Sequence, residues 1–167
     1  ARAAATYTST QENAWMVLAA RALGIEVIDN QHRRIVDYVN QLHDARERND
    51  KDAIADVIES TVEYTLSHFG FEESLMEDAG YALSKPHKRV HELFVKRVAD
   101  LQMRFRAGED ISGELHGLLS RWLVNHIRND DHDYVESVKR NMQRLTRETH
   151  EGGWLSRSIG RFFGSHR

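Results

Sequence analysis

Apolar side chains recur along most of this chain at alternating steps of three and four residues, which is the period of one face of an α-helix. No segment shows the sustained alternation that a half-buried β-strand requires. The pattern predicts four helices, over about residues 29–47, 51–78, 84–107, and from 111 into the 140s. Because the loops between them are short, the fold is predicted to be all-α, an up-down-up-down four-helix bundle.

Residues that typically start or stop helices flank these stretches. Asp29 is expected to cap the first helix. The third helix is expected to begin near Ser84 and Pro86, with Ser84 as its cap and Pro86 in its first turn. Gly80 and Gly108 are expected to follow the ends of the second and third helices. Helix boundaries are therefore predicted from residue chemistry as well as from periodicity.

Three regions follow from composition. Residues 1–14 have almost no large apolar side chains and are expected to form a flexible arm, residues 15–141 the bundle, and residues 142–167 a C-terminal extension. The extension contains a basic amphipathic stretch, with one apolar face and arginines elsewhere: Leu155, Ile159 and Phe162 against Arg157 and Arg161. Two interpretations stay open, namely a fifth helix packed on the bundle, or a helix that docks on a protein partner or a membrane surface.

Composition narrows the classes of partner. At 167 residues and 40% hydrophobic, the chain is long enough for one domain with a core. Its 23 Lys+Arg against 26 Asp+Glu leave a net charge of −3, so nucleic acid is not an expected partner. The apolar run 15–25 is too short for a transmembrane segment. The absence of cysteine excludes disulfides and thiolate metal sites and favours a cytoplasmic location.

Seven ionisable residues fall on the apolar stripes of the predicted helices. They are His32, His68, Glu72, His87, His91, His126 and Asp131. A lone histidine on such a face is usually a hydrogen-bonded core residue. This many buried imidazoles and carboxylates are costly unless they are paired or bind a metal ion, and no Lys or Arg lies on the same faces to pair with them. His43, His116, His132, His150 and His166 lie off the stripes or near a terminus and are expected to be solvated. The stripes therefore predict a metal centre.

The number of candidate ligands indicates two metal ions. Seven residues are too many for one ion. If Glu72 and Asp131 bridge both ions and a bridging oxygen completes the core, the ion with three histidines has six ligands and the ion with two has five, which leaves one position open. Imidazole and carboxylate with an unfilled octahedral position suit iron, although manganese and zinc stay open. No Glu-x-x-His pair of the carboxylate-rich di-iron proteins occurs in the sequence.

From about residue 25 to 134 the chain resembles the bacteriohemerythrins. The resemblance rests on DNQH at 29–32, HFGFEE at 68–73 followed by Met76 and GY at 80–81, HKRVH at 87–91, and WLVNHIRNDD at 122–131 with Tyr134. It implies a four-helix bundle around an oxo- or hydroxo-bridged non-haem di-iron centre that binds dioxygen reversibly. A tryptophan usually precedes DNQH in the family at a shorter distance than Trp15 does here.

The resemblance also implies roles for individual residues. It assigns His87, His91 and His126 to the saturated iron, His32 and His68 to the open iron, and bridging to Glu72 and Asp131. It implies an oxygen pocket lined by Phe69, Trp122, Leu123, Ile127 and Tyr134, for which core packing is an equally good explanation. The expected function is oxygen storage or delivery rather than catalysis. A di-iron enzyme, such as a peroxidase or nitric oxide reductase, and an oxygen-sensing interaction module are the alternatives.

The spacing of His126 and Asp131 conflicts with a regular α-helix. Five residues rotate by about 140° beyond one full turn, whereas four rotate by only about 40° beyond it. Asp130 rather than Asp131 would then share the face of His126. Since the resemblance selects Asp131, a bulge or loosened turn is predicted between residues 126 and 131.

Overall fold

The computed structural model describes residues 23–148 and 153–164, and throughout these residues the chain is helical apart from short connections. We number the helices α1 (Glu26–Glu47), α2 (Lys51–Asp78), α3 (Ser84–Arg106), α4 (residues 112–148) and α5 (Gly153–Phe163). The first four form the bundle, so the predicted fold class is confirmed. The arm at 1–14 and Trp15 lie outside the described residues. Helix α4 runs through residues 141 and 142, where the sequence analysis places the start of the extension.

The ends of α2 and α3 follow the residues that flank them. Asp50 caps α2 by accepting a hydrogen bond from the backbone N–H of Ala53, at 3.0 Å. Gly80 and Gly108 follow α2 and α3 with φ of 65° and 93°, a conformation that favours glycine. Both glycines therefore lie where the sequence predicts that a helix stops.

Two predicted caps are wrong. Helix α1 begins at Glu26, so Asp29 lies inside its first turns, and its carboxylate accepts the backbone N–H of Gly24 at 3.1 Å. The cap prediction for Asp29 failed because the helix begins three residues earlier, so the Asp29 side chain bonds back to the residues before the helix instead of capping it. At α3 the cap position is Leu83, and Ser84 is the first helical residue with no capping hydrogen bond.

Helix α4 contains two π-helical segments. It consists of Ser112–Leu118 (α), Leu119–Leu123 (π), Val124–His126 (α), Ile127–Asp131 (π) and His132–Glu148 (α). Every fourth residue along it is buried: Leu115, Leu119, Leu123, Ile127, Asp131 and Val135. Since an α-helix gains about 40° with each step of four, the wider π turns keep this row facing the core. The predicted loosened turn after residue 126 is confirmed, whereas the earlier π segment was not predicted.

The core is divided along the bundle axis by a layer of buried polar side chains. Along α1, His32 lies between Ile28 and Ile35, which belong to different apolar clusters. Along α2, Glu72 likewise lies between Phe69 and Leu75. One cluster thus fills each side of the polar layer and separates it from solvent.

Helix α5 packs against α2. Phe163 lies 5.2 Å from Tyr64 between ring centroids, and Phe162 lies 6.1 Å from Phe71. Ile159 also packs on the cluster that contains Phe71. Of the two interpretations of the extension, this contact supports a fifth helix on the bundle, and nothing supports a protein partner for this face. None of the described helices is long and apolar enough to cross a membrane.

The contact between α5 and α2 depends on Gly70. A Cβ at this position would lie 2.9 Å from Phe162 Cε1, closer than such atoms approach. In a helix interior alanine is about 1 kcal/mol more favourable than glycine. We therefore expect Gly70→Ala to stabilise a Phe162→Ala protein by about this amount and to give less or nothing in the unmodified chain. Thermal unfolding of both single variants and the double variant measures this coupling. Equal effects of Gly70→Ala in the two backgrounds would show that the Phe162 ring does not lie against position 70.

Candidate metal centre

All four helices of the bundle contribute to the polar layer. The seven residues are His32 from α1, His68 and Glu72 from α2, His87 and His91 from α3, and His126 and Asp131 from α4. All are buried, and the most exposed, His87, has 6% of its surface accessible. The helical spacing of four places both residues of α2, and both residues of α3, on the faces that turn toward the bundle axis. The structure thus brings together all seven residues that the sequence singled out.

The seven residues form two overlapping groups of potential ligands. In one group the donor atoms of Glu72, His87, His91, His126 and Asp131 lie within 4.8 Å of one another. In the other, donor atoms of His32, His68, Glu72 and Asp131 meet the same limit. Because the two carboxylates are common to both groups, the arrangement can hold two ions side by side with carboxylate bridges.

Donor atoms approach one another closely across the shared carboxylates. Asp131 Oδ1 lies 2.9 Å from His126 Nε2 and 3.2 Å from His87 Nε2, while Asp131 Oδ2 lies 3.2 Å from His32 Nε2. Glu72 Oε1 lies 3.4 Å from His68 Nε2. Within the described part of the chain, both oxygens of Asp131, Glu72 Oε2 and the Nε2 atoms of His32 and His68 lack a hydrogen-bond partner. Buried polar atoms without partners are costly, and cations would satisfy them.

Three imidazoles are held by hydrogen bonds on the side that faces away from this cluster. His68 Nδ1 donates to Gln31 Oε1 at 2.8 Å, and His91 Nδ1 donates to Glu73 Oε1 at 3.0 Å. His126 Nδ1 donates to Asp130 Oδ2 at 2.8 Å. With the proton on Nδ1, the Nε2 atom of a neutral ring carries a lone pair that points into the cluster.

The lone pairs on α3 and α4 converge. His91 Nε2 is 2.9 Å from His126 Nε2 and 3.2 Å from His87 Nε2. If both rings are neutral and carry the proton on Nδ1, the two Nε2 lone pairs repel each other at this distance, whereas a cation between them, a proton or a metal ion, would bind both. The donor set therefore fits a metal ion better than it fits a hydrogen-bonded histidine cluster.

Charge leads to the same conclusion. Burial lowers the pKa of His32 and of His126, but the nearby Asp131 and Glu72 carboxylates outweigh it and raise both values to about 9. Burial lowers the pKa of His68 to about 3. Two buried carboxylates thus draw protons onto two imidazoles when no other positive charge is near. Divalent ions would supply that charge and displace those protons.

The π segment explains how two consecutive aspartates act differently. Asp130 lies on the outside of α4, has 41% of its side chain exposed and accepts the His126 Nδ1–H. Asp131 is fully buried and faces the Nε2 atom of the same histidine. One imidazole therefore lies between the two carboxylates, and both aspartates belong to the site.

Three of the five residues of the predicted oxygen pocket contact side chains of the polar layer. Phe69 stacks on His91 with ring centroids 3.9 Å apart, and Trp122 stacks on His126 at 4.4 Å. Tyr134 donates its hydroxyl to Glu72 Oε1 at 2.6 Å. Leu123 and Ile127 are buried in the same apolar cluster as Phe69. The five side chains are mainly apolar, and their role toward a ligand stays a prediction.

Two of the histidines expected to be solvated are in fact partly buried. His43 of α1 and His116 of α4 pair with ring centroids 5.5 Å apart. The prediction was wrong because each lies off its own helix's stripe but at the seam between two helices. His132 is exposed as expected, whereas His150 and His166 lie outside the described residues.

Gln31 and Glu73, which hold imidazoles from behind, were not predicted from the sequence, whereas Asp130 was expected on the face of His126 but only as an alternative to Asp131. Gln31, Glu73 and Asp130 each directly precede or follow one of the seven candidate residues in the sequence. A polar neighbour of a candidate ligand was the available signal, but adjacent residues on a helix point about 100° apart, so only the structure shows which ring each one reaches.

A family model described as the hemerythrin HHE cation binding domain matches residues 23–138 of this chain. The chain belongs to the hemerythrin family. The matched range contains all seven clustered residues, so the resemblance predicted from the sequence is confirmed. Hemerythrins bind non-haem iron, and the buried cluster of histidines and carboxylates fits a metal site of that kind.

Relatives within the family are similar over nearly their full length. The chain is 62% identical over 141 residues to a bacteriohemerythrin of Pseudomonas aeruginosa, covering 84% of this chain and 92% of that protein. It is 55% identical to a bacteriohemerythrin of Stenotrophomonas maltophilia, covering 85% and 93%. A crystal structure of wild-type hemerythrin superposes with a TM-score of 0.67 at 33% identity, covering 70% of this chain and 90% of that one.

Proposed function

We propose that this hemerythrin binds two iron ions in the polar layer and binds dioxygen reversibly there, for storage or delivery. The observation that carries the proposal is the pair of unequal ligand groups that share Glu72 and Asp131. One group offers three imidazoles and the other two. The two positions therefore differ in how completely the protein surrounds an ion. The bacteriohemerythrin relatives support the same function.

Individual residues take distinct roles in this proposal. His87, His91 and His126 would hold one iron, His32 and His68 would hold the other, and Glu72 and Asp131 would contribute to both. Two ferrous ions would supply the reducing electrons and the open coordination position that dioxygen requires. Tyr134 holds the orientation of Glu72 through its 2.6 Å hydrogen bond.

Burial of the centre favours a small neutral ligand over a larger substrate. The seven side chains are almost inaccessible, and rings such as Phe69 and Trp122 pack directly on two of them. Dioxygen can enter through transient gaps between apolar side chains without a polar channel. A larger substrate that needs several polar contacts would meet mainly apolar side chains there. We therefore propose dioxygen as the ligand. Peroxide and nitric oxide are equally small, so turnover and not size separates the enzyme alternative from reversible binding.

The proposal predicts two irons per chain and a colour change that reverses. Protein purified without oxygen should contain two iron atoms per chain by elemental analysis. Oxygen should produce a ligand-to-iron absorption band that vacuum removes over repeated cycles. A single zinc ion, or one irreversible oxidation, would contradict the proposal. Sustained consumption of peroxide or nitric oxide with an added electron donor would instead support the enzyme alternative.

A further inference from the structure

The groups that accept hydrogen bonds from the Nδ1 atoms of the imidazoles differ in charge. In the three-histidine group, His91 and His126 donate to the carboxylates of Glu73 and Asp130. In the two-histidine group, His68 donates to the neutral amide of Gln31, which is buried. Nδ1 of His32 has no partner within the described residues. The carboxylates that accept a hydrogen bond from a ring therefore lie on one side of the centre. Asp29, the carboxylate nearest to His32 on α1, accepts the backbone N–H of Gly24 instead of a ring N–H.

A carboxylate behind a metal-bound imidazole strengthens that imidazole as a donor. The hydrogen bond shifts electron density toward the other ring nitrogen, and outer partners of this kind typically change metal affinity by about 10–100-fold. A more strongly donating ligand favours the higher charge of ferric over ferrous iron. An amide partner such as Gln31 orients the ring but adds no negative charge.

We propose that Glu73 and Asp130 are positioning residues that make the two irons electronically unequal, so that the iron held by three histidines is oxidised first. This inference rests on the proposed two-iron function and adds a direction to it. The iron held by three histidines would lose an electron more easily. The iron held by two histidines would have ligands that donate less electron density to it. Each oxidation step would transfer one electron from one ferrous ion to an oxidant, which is dioxygen in the proposed function and an added one-electron oxidant in the titration.

Lys88 partly neutralises the negative charge of Glu73, and a substitution can remove this effect. Its Nζ lies 3.5 Å from Glu73 Oε2, on the side of the carboxylate away from His91, and about half of its side chain is exposed. A cation there withdraws part of the negative charge that Glu73 presents to the ring. Loss of Lys88 should therefore act in the opposite direction to loss of Glu73.

The cleft between α2 and α3 offers a matched control for Glu73 and another for Lys88. Glu92 and Lys96 line the same cleft as Glu73 and Lys88, and both are exposed. Glu92→Gln and Lys96→Gln change the net charge as Glu73→Gln and Lys88→Gln do. Any effect of overall charge should appear equally in both pairs.

The test is a potentiometric titration of the iron-loaded full chain without oxygen, with the mixed-valence state followed by electron paramagnetic resonance. Glu73→Gln and Asp130→Asn should each raise the lower of the two one-electron potentials, and Lys88→Gln should lower it. A tenfold change in the preference for ferric iron corresponds to about 59 mV, and we expect a shift of that size for the carboxylate variants. Glu92→Gln and Lys96→Gln should leave it unchanged.

The outcomes separate this inference from the function on which it rests. Two irons with unchanged potentials in the carboxylate variants, or equal shifts in the control variants, overturn the inference and leave oxygen binding intact. Two irons that respond as expected but do not bind oxygen reversibly uphold the inference and overturn the proposed function. A chain that holds fewer than two irons overturns both, on metal content alone.

Discussion

Replacing His91 with alanine is expected to remove both irons and to destabilise the fold. His91 Nε2 lies within 3.2 Å of the Nε2 atoms of two other histidines, and its ring stacks on Phe69. When free metal exceeds its dissociation constant a thousandfold, binding contributes about 4 kcal/mol to the free energy of unfolding. Its loss should lower the melting temperature by on the order of 10 °C. Elemental analysis and calorimetry measure the two effects.

His32→Ala provides the comparison for the other half of the centre. His32 is the one residue that α1 contributes to the seven, so one iron should remain with the three histidines while oxygenation is lost. His132→Ala, on the exposed face of α4, is the control and should change neither property. Retention of two irons and reversible oxygenation in both His32→Ala and His91→Ala would show that these imidazoles are structural.

Loss of Asp131 should be far more damaging than loss of its neighbour Asp130. Asp131→Ala removes a carboxylate that lies within 3.2 Å of three imidazoles, so we expect fewer than one iron per chain and no oxygenation. Asp130→Ala removes a half-exposed hydrogen-bond acceptor and should retain two irons with weaker binding. Metal content after dialysis against a mild chelator measures the difference. The reverse order would mean that α4 is regular between residues 126 and 131.

Much of the fold and the seven clustered residues could be predicted because both depend on local period. Helix α2 has the bounds that its stripe predicts, and the spacing of His68 and Glu72 follows from the same rotation per residue. The same spacing puts Asp130 on the face of His126, which the structure confirms. The role of Glu73 could not be predicted, because its partner His91 lies on a different helix. The pairing of His43 with His116 likewise depends on how two helices approach each other.

Two further features depend on information that a single helix does not contain. The docking of α5 depends on the missing side chain at Gly70, a residue far away in sequence. The first π segment of α4 could have been recognised from the sequence, because buried positions recur at consecutive steps of four from Leu115 to Val135. A pattern of alternating threes and fours was expected instead, and it does not show this spacing. Consecutive steps of four should therefore be read as a sign of a widened turn.

The π turn at Ile127–Asp131 gives α4 one residue more than a regular helix needs for the same rotation. Deleting one residue between His126 and Asp131 would let the helix close into regular turns and would leave these two residues at the ordinary spacing of four. Tyr134 and Val138, now fully buried, would then keep facing the core together with Asp131. A one-residue deletion should consequently be tolerated better here than in a regular turn of α4, and evolution could have introduced the wide turn through a single added codon.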